Sequence, residues 1–107
     1  MIYKFKSKAA GDVIMMGPAG SDVLRLIGKQ PAAQGIIEVS SMSAAMAALE
    51  QAVAADEAGR AQAEKDAAAE GRTLPPREGV SLRQRAWPLV EMMKRSRSEG
   101  ADIVWGT

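Results

Sequence analysis

Near the start of the chain Tyr3 and Phe5 alternate with Lys4 and Lys6. A period of two puts the aromatics on one face and the lysines on the other, the pattern of a half-buried strand over residues 2–7. Such a strand commits the chain to a sheet with one covered face. Ser7 to Gly11 reads as a turn, with Gly11 suited to the positive φ that short hairpin loops often need. Asp12 to Met16 reads as the second strand of a hairpin.

That second strand breaks the rule the first one follows. Val13, Ile14, Met15 and Met16 are all apolar and do not alternate. Either both faces are covered, or the outer face meets another chain. These four residues are therefore the candidate interface.

Beyond the hairpin the period changes. Gly17-Pro18-Ala19-Gly20 reads as a break, with Ser21 capping a helix over Asp22–Ile27 and Gly28 ending it. The inward face of that helix is either Leu24 with Ile27, or Val23 with Leu26 and Ile27. Gln30 to Gln34 is a loop containing Pro31, and Ile36-Ile37 is a strand or an extended packing segment. Ser40 or Ser41 is expected to cap a long helix in which Met42, Met46, Leu49 and Val53 form one face. After Val53 the stripe stops, and residues 54–70 are almost all alanine and charge, with helix propensity but nothing large to bury. Residues 54–80 are thus expected to be a projecting or mobile helix end followed by a linker, Gly71–Gly79, containing Pro75-Pro76. Within the helix, Arg60–Glu64 and Gln62–Asp66 have the spacing of surface pairs.

Ser81 and Gln84 fit a capping box for a helix that runs to about Ser98 and stops at Gly100. Leu82, Ala86, Leu89 or Val90, and Met93 mark its apolar face. Pro88 either kinks this helix near Gln84 or starts a new one. Ala101 to Trp105 reads as a last strand, with Ile103 and Trp105 on one face. The whole predicts an α+β fold: an N-terminal β-hairpin plus a C-terminal strand in a small, mainly antiparallel sheet, packed by two or three helices. The last strand is placed beside the first, since no crossing connection is needed.

Composition limits what such a fold can do. The 107 residues make one small domain over 1–107, and only four residues are aromatic. Both tryptophans, Trp87 and Trp105, are expected in the core. There is no cysteine and no histidine, which removes disulfides, thiol chemistry and the commonest general base and metal ligand. Basic and acidic residues number 14 and 13, so no whole-molecule field points to nucleic acid or membrane. Residues 49–71 nevertheless carry six acids and two bases, and residues 72–107 seven bases and four acids. No stretch approaches the roughly 20 apolar residues that span a bilayer. The N-terminus lacks the apolar core of a signal peptide, so a cytoplasmic protein without membrane contact is expected.

The strings "MIYKFKSKAAGDVIMMGPAG…LRLIGK", "QGIIE" and "GVSLRQRAWPLVEMMKRS…DIVWG" resemble a family of small proteobacterial proteins described as a domain of unknown function. The likeness covers nearly the whole chain, with the alanine-glutamate stretch as the part expected to vary. It implies a free-standing bacterial cytoplasmic protein and carries over no activity, cofactor or catalytic residue.

Each candidate site competes with a plainer reading. The glycines of residues 17–20 before a helix could present N–H groups to an anion, but the lysine of a P-loop is missing and Asp22 repels an anion. Arg83, Arg85, Arg95 and Arg97, with Lys94 and the hairpin's Lys4, Lys6 and Lys8, are the candidate nucleic-acid or anion surface, though no aromatic is interleaved for base stacking. Arg85–Leu89 is a pocket or partner groove, or simply packing around a helix start. Asp12, Asp22, Glu38, Glu91 and Asp102 show no spacing that forces a catalytic or metal geometry. Met15, Met16, Met42, Met46, Met92 and Met93 fill the core or mark an interface. The resulting expectation is a non-catalytic domain, without cofactor or metal, acting by protein–protein contact, with a homodimer through the hairpin as one form. The alternative is a weak nucleic-acid or anion binder using a basic face of the last helix.

Overall fold

A computed structural model describes residues 2–76 and 80–106. The elements are β1 (Ile2–Ser7), β2 (Ala10–Met16), α1 (Gly17–Leu26), β3 (Gly35–Ile37), α2 (Val39–Ala69), α3 (Leu82–Glu99) and β4 (Ile103–Trp105). The four strands form one antiparallel sheet in the order β2-β1-β4-β3, with three helices on one face. The chain is therefore an α+β domain in which the last strand lies beside the first, Phe5 opposite Trp105 and Lys6 opposite Val104.

The alternation in β1 sets the core. Tyr3 and Phe5 are buried, their rings 6.1 Å apart, and Phe5 meets Trp105 edge-on at 5.7 Å. The Trp105 indole N–H donates to the Ala32 carbonyl at 2.8 Å, which satisfies its one buried donor. Above this face lie Val23 and Leu24 of α1, the Met42-Met46-Leu49-Val53 stripe of α2, and Leu89, Val90 and Met93 of α3. Of the two faces considered for α1, Leu24 with Ile27 turns inward, with Val23 buried beside them; the alternative set fails at Leu26, which is exposed.

Several local expectations are corrected. The hairpin turn is Lys8-Ala9 and uses no positive φ; Gly11 lies inside β2. The Ser7 hydroxyl accepts from the Ala9 N–H at 3.2 Å, and a register irregularity between Phe5 and Ser7 absorbs the misfit of such a turn with strand twist. Gly17-Pro18-Ala19-Gly20 is the first turn of α1, because Pro18 at the helix start has φ pre-set and no N–H to lose. Ser21 consequently sits inside the helix, where its hydroxyl bonds the Tyr3 phenol at 2.8 Å. Neither Ser40 nor Ser41 caps α2. The Asp102 carboxylate, from just before β4, accepts the Val39 N–H at 3.0 Å instead.

Other signals read correctly. Gly28 and Gly100 end α1 and α3 at positive φ, and Ser81 and Gln84 form the reciprocal capping box. α3 is a single helix with Pro88 inside it. α2 is continuous for 31 residues and ends in a Schellman turn, with the Arg72 N–H on the Ala67 carbonyl and Gly71 at φ 74°. Of the expected linker, residues 77–79 lie outside the described residues.

Candidate functional site

The site begins with the position of β2. It is an outer strand of the sheet, paired on one side with β1. Its residues do alternate in burial: Met15 is buried and Val13 half-buried toward the helices, while Ile14 and Met16 are 63% and 65% exposed on the outer face. Apolar residues on both faces hid that alternation, and the outer face is left uncovered. Ile2 lies opposite Met16 and is 61% exposed. Opposite residues in an antiparallel pair bring their Cβ atoms within about 5 Å, so Ile2, Met16 and Ile14 make one apolar patch.

A groove runs along the open edge of this strand. It has a volume of about 650 Å³ and is bounded by β2, by Pro18 and Ala19 of α1, and by Gln84, Arg85 and Pro88 of α3. A smaller hollow of about 280 Å³ continues it toward the hairpin turn, sharing Val13 and Pro88 as walls. Pro88 has no N–H to give the Gln84 carbonyl one turn back, so that acceptor on the groove wall has no helical partner four residues on. Arg85 reaches Asp22 at 3.5 Å, while its buried Nε has no hydrogen-bond partner among the described residues.

Trp87 is the main departure from expectation. It is 43% exposed, outside the core, with the Lys94 ammonium 5.1 Å from its ring centre. Its other surroundings form a cleft of about 250 Å³ between α2 and α3, with Leu49, Val53 and Arg83. Trp87 thus lines a cleft, the pocket alternative for Arg85–Leu89, and Ile2 is the surface residue that sequence reasoning passed over, although each carries a signal. Ile2 is out of phase with Tyr3 by one residue, and Trp87 is one position past Ala86 on the apolar face.

The four arginines are not gathered on one face. Arg83 makes a two-pronged contact with Glu57 of α2 at 2.7 and 3.0 Å, and Arg97 donates to Ser43 of α2 at 2.9 Å. Those two are 14 residues apart, or about 21 Å along the axis. The hydrogen bond and the charge of Glu57 raise the Arg83 pKa above its already high ordinary value, so it stays cationic at any physiological pH. Arg85 faces α1 on another side, and Arg95 stands by Ala10 and Gly11. Lys4 is on the outer sheet face with Asp12 3.6 Å away, across the sheet from α3.

The acidic candidates have local work. Asp12 pairs with Lys4, Asp22 with Arg25 and Arg85, Glu91 with Lys94, and Asp102 caps α2. Among the described residues no three acidic side chains are grouped so as to hold a metal ion. Five of the six singled-out methionines are buried in the core, and Met16 alone is on the surface. No described helix is long and apolar enough to cross a membrane.

The comparisons add an identity of family and nothing on chemistry. No curated protein and no solved structure matches the chain. A family model does, over residues 1–105, which takes in the hairpin, the groove and all three helices. The chain belongs to the DUF1840 family, a domain of unknown function.

Proposed function

We propose that this domain is non-catalytic and works by protein–protein contact through the open edge of β2. The observation that carries the reading is the patch of Ile2, Ile14 and Met16, each more than 60% exposed, beside a strand with one neighbour. Fully burying a side chain of this size is worth about 1.5–3 kcal/mol, so a partner covering three of them gains a sizeable driving force. Exposed strand edges also present unpaired N–H and C=O groups that a partner's backbone satisfies. Trp87 is a separate half-exposed side chain on α3, of a type that contributes much at protein contacts. The dispersed arginines support a nucleic-acid surface less well, because backbone phosphates favour a continuous basic stripe.

The test uses the whole chain and an Ile14→Asp/Met16→Asp variant as parallel baits in extract from the native cell. Both positions are exposed, so the variant is expected to fold, which circular dichroism checks. A protein held by the wild type and released by the variant supports the reading. Identical retention by the two baits, including none, overturns it.

A further inference from the structure

We infer that the partner at β2 is a second copy of this chain, joined by antiparallel β2–β2 pairing about a two-fold axis at Ile14. The inference rests on the contact reading above and names its occupant.

The charges around the patch and groove are the first argument. Lys4 is balanced by Asp12, Arg85 by Asp22 and Lys94 by Glu91, all within the chain; Arg95 on the hollow's wall stands outside these pairs, and the formal net charge is +1. A strongly acidic or basic partner finds little to complement here. A neutral, apolar surface does, and the chain carries one in this patch. Two copies of so weakly charged a molecule also repel little.

The strand edge supplies the second argument. An antiparallel edge offers N–H and C=O groups in alternation, so two copies related by a two-fold axis satisfy each other with the same residues. The contact is closed and leaves no β2 edge for a third copy. Four strands become eight, with β3 at both outer ends.

The register follows from which residues then face each other. An axis at Ile14 sets the two Ile14 side chains together and joins the two apolar patches at the centre. Val13 then lies opposite Met15 of the second copy, and Asp12 opposite Met16. An axis at Asp12 sets two carboxylates opposite each other, which is destabilising. An axis at Val13 puts Asp12 against Ile14 twice and keeps the patches apart, and an axis at Met15 leaves only residues 14–16 to pair, because β2 ends at Met16.

Sedimentation of the full chain across the micromolar range is expected to show a monomer–dimer equilibrium. Ile14→Asp, which places two carboxylates on the axis, is expected to weaken it at least about tenfold. The register has its own test, made clean because the chain has no cysteine. Opposite Cβ atoms lie about 4.5–5.5 Å apart, so Ile14→Cys is expected to form a covalent dimer on mild oxidation. Two copies of Met16 are four residues out of step, about 13 Å along the strand, so Met16→Cys is expected to remain uncrosslinked. The cysteine pair carries the test should Ile14→Asp fail to fold. A wild type that is monomeric throughout, or equal crosslinking at both positions, overturns the inference. A monomeric wild type whose extract partner is still lost in the aspartate variant overturns the second copy and leaves the contact reading standing.

Discussion

Gly20 and Gly59 both sit inside helices, and alanine has opposite consequences at the two. A Cβ on Gly20 meets Tyr3 Cδ2 at 2.2 Å. The Tyr3 ring is buried and its hydroxyl is held by Ser21, so it has nowhere to retreat. Gly20→Ala is expected to destabilise the domain by about 1–3 kcal/mol, the usual cost of overpacking. A Cβ on Gly59 meets nothing within 4 Å. Gly59→Ala is expected to stabilise by about 0.5–1 kcal/mol, the helix-propensity difference. Urea unfolding, read as midpoints at unchanged slope, checks both; a Gly20→Ala variant as stable as the wild type would show that Tyr3 does not fix α1 in place. At this scale the inward side of β1 was legible because alternation is local. That Tyr3 needs a glycine 17 positions away was not, since only the packed helix shows it. The two tryptophans divide on the same ground. Trp105 is in phase with Ile103 in a short strand, whereas the phase of Trp87 was obscured by the adjacent Ala86 and Pro88.

At the scale of elements, each end that reads correctly is one whose cap is a near neighbour. Ser81–Gln84, Gly28 and Gly100 close their helices within a few residues, and the spacing announces them. The start of α2 is different. Val39 receives its cap from Asp102, 63 positions later, so two adjacent serines mislead any local reading. That bond also ties the entry of β4 to the long helix across the domain. Asp102→Ala leaves the Val39 N–H without its acceptor and is expected to cost about 1 kcal/mol, within the range of about 0.5–2 for lost caps. Asp102→Asn retains an acceptor oxygen and is expected to recover most of the loss. Thermal or urea unfolding of the two variants decides it. Equal loss in both would mean that the carboxylate's charge near the helix start, rather than the hydrogen bond, does the stabilising. For the candidate site the element order was the legible part, since it placed the hairpin at one end of the sheet. The groove was not legible: it needs α3 to cross beside β2, which no single stretch encodes.

The whole molecule is longer than its size requires. Its radius of gyration is 15.9 Å against about 13 Å for a compact domain of this length. The long dimension is 52 Å, and 31 residues of α2 span about 46 Å of it at the helical rise. Large buried side chains on α2 end at Val53, and beyond them only Ala67 is buried. The later half is tied instead by Arg83 to Glu57 and by Arg60 to the Pro75 carbonyl at 2.8 Å, all exposed contacts. Exposed pairs of this kind contribute about 0–1 kcal/mol and weaken with salt, whereas the packed half is held by the core. Opening free energy should therefore fall along one unbroken helix. Amide hydrogen exchange is expected to show residues 42–53 exchanging only with global unfolding. Residues 61–69 should exchange far sooner, and sooner still at high salt. Uniform protection to residue 69 would mean that the distal half is held by more than these contacts. Because the β2 edge lies away from that half, Ile14→Asp should leave the exchange gradient unchanged, separating the helix's own stability from any contact made at the hairpin.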